Sequence, residues 1–334
     1  MRNRSWLLGL GIGLLAAGAS AQAAGGDGLP VGGVDVGAEG VSTPGGEARY
    51  FSLPAARGSV IARVERSSGR LLASRTVRER LSVPAVAADG SASGLSADGR
   101  TLVLIAPRRA FPAARTRFAV LDARTLRRRR SVALRGDFSI DAISPDGQRL
   151  FLIEYLSRRD YNRYQVRAYD TVNGRLLPKP VVDPREAGEA MRGYPISRAS
   201  SADGRWAYTL YDGQSEHPFV HALDTVRATA VCVDLDALAG RRDLFALRLR
   251  VSADGRRVLV AAGSAPAVAI DTRTFRASLP SAGSAPPAGG AGRGPLWAAG
   301  GALATLAAVL GVSLARSRRR RERAPGGQPA PSGA

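Results

Sequence analysis

The sequence predicts an all-β protein: a β-propeller of about five recognisable four-stranded blades, with room for more diverged ones, followed by one C-terminal transmembrane helix. Three observations carry this expectation. Four segments are near copies of one another, each placing a Ser-x-Asp-Gly turn, begun by Ser96, Ser144, Ser201 and Ser252, before an apolar run. A second hairpin follows each at a regular offset, led by Asp122, Asp170, Asp224 and Asp271. Residues 296–315 carry no charge and run straight into a cluster of arginines.

The repeat dictates local structure. Asp accepts hydrogen bonds from the backbone just ahead of it, and Gly adopts the left-handed conformation that a tight turn needs. The four turns hold Asp98 and Gly99, Asp146 and Gly147, Asp203 and Gly204, and Asp254 and Gly255. Apolar, partly alternating runs follow, as strands require. The Asp positions are spaced by 48, 57 and 51 residues, close to the 40–50 of propeller blades. Two hairpins per unit supply four strands, and no unit can bury its faces without a neighbour. A weaker copy from Val60 to Arg75, with Glu65 in the Asp position, adds a fifth unit. The four repeated carboxylates are read as turn formers spread around the ring, not as a convergent site.

Ser-Ala-Asp-Gly or Ser-Pro-Asp-Gly, then an apolar strand, then a Val-x-Asp-Thr-like hairpin resembles the bacterial YVTN-type and TolB-like β-propeller repeats over about residues 48 to 280. The resemblance implies the fold. It implies no particular activity, because the fold carries enzymes, ligand binders and scaffolds alike. Five units are fewer than the seven common among such repeats. The ring is then five-bladed, or contains diverged blades, or closes against a partner.

The ends predict membrane placement. Arg2 and Arg4, an apolar run from Trp6 to Ala17 and small residues around Ala19–Ala23 form a signal-peptide pattern over 1–23. A Gly-rich flexible segment follows (24–46), then the propeller domain (47–280), a Gly/Ala/Pro-rich tether (281–295), the membrane helix (296–315) and a basic tail (316–334). At ~1.5 Å per residue, 20 residues match the ~30 Å hydrocarbon core. Trp297 suits the headgroup zone, and Arg316, Arg318, Arg319, Arg320 and Arg321 keep the tail in the cytoplasm. The body then lies outside the cytoplasmic membrane. Gly300, Ala304 and Ala308 would permit close helix approach, so a homo-oligomer is a further expectation.

Charge and chemistry narrow the function. The net charge is +20, and Lys179 is the lone lysine. A polyanion-binding surface and a compositional preference for arginine both account for this, with the arginines scattered and no aromatic interleaving of the kind that binds single strands. No nucleic acid is expected. Cys232 rules out an intrachain disulfide and lies in an apolar, strand-like run. His217 and His221, with Glu216 nearby, make a weak metal pattern of two ligands. No phosphate loop, dinucleotide fingerprint or nucleophile elbow occurs, so no catalytic residue, metal or cofactor is assigned. The candidate binding loop packs Tyr155, Tyr161 and Tyr164 among Arg158, Arg159 and Arg163, residue types enriched at interface hot spots. The expected role is non-catalytic binding of an envelope protein or anionic polymer, beside contact with membrane lipid. A propeller enzyme acting on sugars or lactones and a subunit assembling through its helix are the alternatives.

Overall fold

The structure, a computed structural model, describes residues 40–279 except 187, 189, 190 and 216. The expected signal segment, tether, membrane helix with Trp297, and tail with Arg316 and Arg318–Arg321 lie outside the described residues. Among the described residues no helix is long and apolar enough to cross a membrane.

Five antiparallel sheets follow one another along the chain, each a meander from an inner to an outer strand. Blade I holds β1 (Val41–Ser42), β2 (Ala48–Ala55), β3 (Gly58–Glu65) and β4 (Leu71–Val77). Blade II holds β5 (Thr101–Ile105), β6 (Arg115–Asp122) and β7 (Arg128–Arg135). Blade III holds β8 (Phe138–Ile143), β9 (Arg149–Tyr155), β10 (Tyr164–Asp170) and β11 (Arg175–Val181). Blade IV holds β12 (Pro195–Ser200), β13 (Trp206–Tyr211), β14 (Phe219–Asp224) and β15 (Thr229–Asp234). Blade V holds β16 (Leu247–Val251), β17 (Arg257–Ala262), β18 (Ala265–Asp271) and β19 (Ala277–Ser278). The fold is a β-propeller.

Alternation along the strands places apolar side chains in the seams between blades. Tyr50 and Ile61 meet Leu102 and Leu121 between blades I and II. Val103 and Phe118 meet Ile140 and Leu152 between II and III. Phe151 and Val166 meet Ala207 and Leu223 between III and IV. Leu210 and Val220 meet Leu249 and Val260 between IV and V. Among the described residues no such cluster joins blade V to blade I, where β16 presents Arg248 and Arg250 to solvent.

The Ser-x-Asp-Gly turns are self-satisfied. In blade III, Ser144 Oγ donates to Asp146 Oδ1 (2.6 Å), which also accepts the Gln148 N–H (3.0 Å), while Ser144 Oγ accepts the Arg149 N–H (2.9 Å). The same set recurs at Asp98, Asp203 and Asp254. These turns join first to second strands, and the second hairpins join third to fourth, so both kinds lie on one face of the disc. The inner turns touch there: the Asp98 N–H reaches the Pro145 carbonyl (3.0 Å). Gly147 has φ +72, and a Cβ on it would lie 2.4 Å from Oγ1 of the buried Thr101. Gly147→Ala is therefore expected to cost about 1–3 kcal/mol. Urea unfolding of this variant beside Gly255→Ala, which has φ +70 but open space around it, separates the steric part from the conformational one.

Two features depart from the sequence expectation. The propeller starts before residue 47, because Val41 and Ser42 pair with Tyr50 and Arg49 across a turn in which Thr43 Oγ1 accepts the Ala48 N–H (3.1 Å). Blade II is three-stranded, not four-stranded. Its inner position is split: Ser82 bridges Ile105 and Leu95 bridges Leu102, while the residues between leave the sheet. Pro84 cannot donate a ladder hydrogen bond. The excursion crosses to blade IV, where the Ala88 and Asp89 N–H groups donate to Pro195 and Ile196 carbonyls (2.9 and 3.1 Å). Val83, Ala85, Val86 and Ala87 are buried in this crossing.

Candidate functional site

All second-to-third-strand loops and all connections between blades share the face opposite the Asp-Gly turns. This face carries the long, irregular segments, including 106–114, 156–163, 182–194 and 235–246.

The predicted binding loop divides there. Tyr155 ends β9 and Tyr164 begins β10, so they are strand residues and not loop residues, and their rings turn inward. Tyr155 packs edge-on to Tyr164 (6.2 Å), and Tyr164 in turn lies 6.0 Å from Tyr211 of β13. Tyr164 Oη donates to the Gly193 carbonyl (3.0 Å). Tyr161 remains 40% exposed at the loop tip, and Arg158, Arg159 and Arg163 face solvent. The inward rings leave a cavity of about 20 Å³, bordered by Asp141, Tyr155, Tyr164 and Tyr211, room for a single water.

Blade II completes the aromatic mouth. Phe111 stacks edge-on against Tyr155 and Tyr161, at 5.5 and 6.3 Å. The Arg108 guanidinium lies 5.2 Å from the Tyr155 ring centre and grips Asp137 through Nε (2.9 and 3.0 Å) and Nη2 (2.5 Å). Asp137 also accepts the Ala113 N–H (2.6 Å), which pins the loop 106–114 to the start of β8. On the other side, Tyr194 lies 6.0 Å from Phe245, which is 51% exposed. Tyr194 lies in the Tyr- and Met-bearing insertion before β12 that the sequence already sets apart, whereas Arg108, Asp137 and Phe245 belong to no repeat motif and only their meeting in space marks them.

The titratable groups are set up to hold shape. Burial pushes the Tyr155, Tyr164 and Tyr211 hydroxyls up, and Tyr194 up to about 12, so all stay protonated donors. His217 is exposed in the β13–β14 loop, whereas His221 is enclosed on β14, so the structure does not bring the two together. Glu216 lies outside the described residues.

Asp183, Glu186 and Cys232 do approach one another, with ligand atoms within 4.8 Å. Asp183 is already committed there. It accepts Arg185 Nη2 (2.6 Å), the Arg185 N–H (2.9 Å) and the Cys232 N–H (2.8 Å). Burial, with Glu186 and Asp183, pushes the Cys232 thiol up, the reverse of what a thiolate ligand or nucleophile needs. A cation would have to displace Arg185, so these residues do not fit a metal centre.

Comparison with known proteins agrees with the architecture. Residues 133–274, which span blades III to V, match the family described as "Lipoprotein LpqB beta-propeller domain". No curated protein matches the chain. Similar solved structures include hydrazine synthase from Kuenenia stuttgartiensis, at 15% identity and TM-score 0.44, covering 70% of each chain. The Dos1 propeller is similar at 11% identity and TM-score 0.40, over 70% of this chain and 54% of that one. TolB from Acinetobacter baumannii is similar at 18% identity and TM-score 0.37, over 72% of this chain and 53% of that one. The chain thus matches about half the length of the last two.

Proposed function

We propose that this chain is a membrane-anchored, envelope-associated propeller that binds a protein partner without catalysis, through the aromatic mouth at the edges of blades II, III and IV. The observation that carries this reading is the mouth itself. Tyr161 and Phe245 stand exposed on a base of buried, hydrogen-bonded aromatics, with Arg158, Arg159 and Arg163 beside them. Rigid rings flanked by arginines are the composition of interface hot spots, because they offer area at low entropic cost. The envelope setting draws support from the match to a lipoprotein's propeller domain and from the signal and membrane patterns of the termini.

The test is a photo-crosslinking residue at Tyr161 or Arg158 of the full-length protein in cells. A discrete protein adduct is expected from both positions. None is expected from Val226, which is 51% exposed but lies in the β14–β15 turn on the opposite face. Arg158→Ala with Arg159→Ala should weaken the adduct and leave the melting temperature unchanged, since both side chains are exposed. The same adducts from Val226, or none from the mouth, would overturn the reading.

A further inference from the structure

The arginines that look scattered along the sequence are gathered by the fold. A groove of about 1350 Å³ opens between blades I and II, on the face that bears the long loops. Its walls are the β2–β3 turn, the segment leaving β4, the 106–114 loop, the start of β6 and the middle of β7. Seven arginines border it against two carboxylates, Glu79 and Asp137. Both carboxylates are engaged, Glu79 by Arg128 (2.5 Å) and Asp137 by Arg108 (2.5 Å). Arg57, Arg78, Arg80, Arg109, Arg115 and Arg117 are exposed and have no ion-pair partner among the described residues. Alternation builds part of this wall: along β6, Arg115 and Arg117 point out while Thr116 and Phe118 point into the blade.

Like charges collected on one concave surface repel one another and focus a positive potential. Nothing in the blade packing requires them, because the seam between I and II is filled by apolar side chains beneath. Arg is also the cation best matched to planar oxyanions, through its fork of donors. The groove exceeds the ~300–1,000 Å³ of ordinary small-molecule pockets, and its charges come from both walls.

We infer that this groove binds a linear anionic polymer carrying phosphate or carboxylate groups along its length. The groove shares the 106–114 loop, Arg108 and Asp137 with the aromatic mouth, but Arg78, Arg80 and Arg117 border the groove and not the mouth, so substituting them tests this inference apart from the proposed protein partner.

The experiment measures binding of fluorescently labelled polyphosphate and polygalacturonate to the full-length protein by anisotropy across a salt series. Binding of either is expected, weakening as salt rises because several counterions are released. Binding of polyphosphate alone identifies phosphate as the recognised group, and binding of polygalacturonate alone identifies carboxylate. Arg78→Glu, Arg80→Glu and Arg117→Glu together should lower affinity at least tenfold and flatten the salt dependence. Arg256→Glu, Arg257→Glu and Arg273→Glu, an equal charge change at exposed positions on the opposite face, should change affinity less than twofold. Equal loss from both triple variants would reduce the effect to net charge and overturn the inference. So would failure to bind either polymer at about 0.15 M salt.

Discussion

Replacing Arg198 with alanine is expected to lower the unfolding free energy by about 3–5 kcal/mol, the largest effect of any single change considered for this protein. Arg198 on β12 reaches across the seam between blades III and IV to pair with Asp141 on β8, with side chains only 6% and 3% exposed. Its Nη1 also donates to the Asp141 carbonyl (3.1 Å). Truncation would strand a carboxylate in the interior, where few other donors can reach it: Asp141 Oδ2 has no partner even with Arg198 in place. Urea unfolding checks the magnitude. If the stranded charge is the cause, adding Asp141→Asn to the Arg198→Ala chain should recover part of the loss, because a neutral amide costs less to bury. A double variant no more stable than the single would point to lost packing instead.

A strong pH dependence is expected from the same seam. His221 sits directly across from Thr209 and Cys232 in the ladder and is 1% exposed. Burial pushes its imidazole down to about 4 from 6.5, with Arg198 acting in the same direction and Asp141 and Asp183 against it. The unfolded chain therefore binds a proton between these values and the folded one does not. The stabilisation is complete above pH 6.5 and is lost as the pH falls towards 4. A shift of this size corresponds to something on the order of 3 kcal/mol. Denaturant midpoints at about pH 7 and pH 4.5 should fall further for the native chain than for His221→Gln. Parallel falls would show that carboxylates elsewhere control the acid limb.

The blades were legible in the sequence because their signals are local. Each Ser-x-Asp-Gly turn satisfies its own hydrogen bonds within six residues, and the outer turns do likewise through Asp122, Asp170, Asp224 and Asp271. The fourth residue after each of these adopts positive φ. It is glycine in blade III (Gly174), but Leu126, Ala228 and Phe275 elsewhere, so the backbone geometry persists where its usual residue does not.

What escaped the sequence is what depends on distant partners. Residues 83–93 match no blade strand, and Ala88-Asp89-Gly90 imitates a repeat turn while serving a different one. Arg198 and Asp141 are 57 residues apart, and no pattern links them. The tyrosines of the candidate loop were recognised as a group, but strand register and not composition decides that Tyr155 and Tyr164 turn inward while Tyr161 stays out. The gathering of arginines on one groove is likewise invisible in a linear reading, which sees only their number.

Arrays of repeats usually behave as a row of dominoes, each unit leaning only on the next. The excursion from blade II breaks that rule. Ser91 Oγ reaches the Arg198 carbonyl, 107 residues on (3.4 Å), and Asp89 lies 3.9 Å from Arg248 of blade V. The early part of the chain is thus a keystone for the late part. Blades IV and V lose their inner support if the first hundred residues are removed, and a cut within this crossing disrupts ties that span more than a hundred residues without touching a single blade strand.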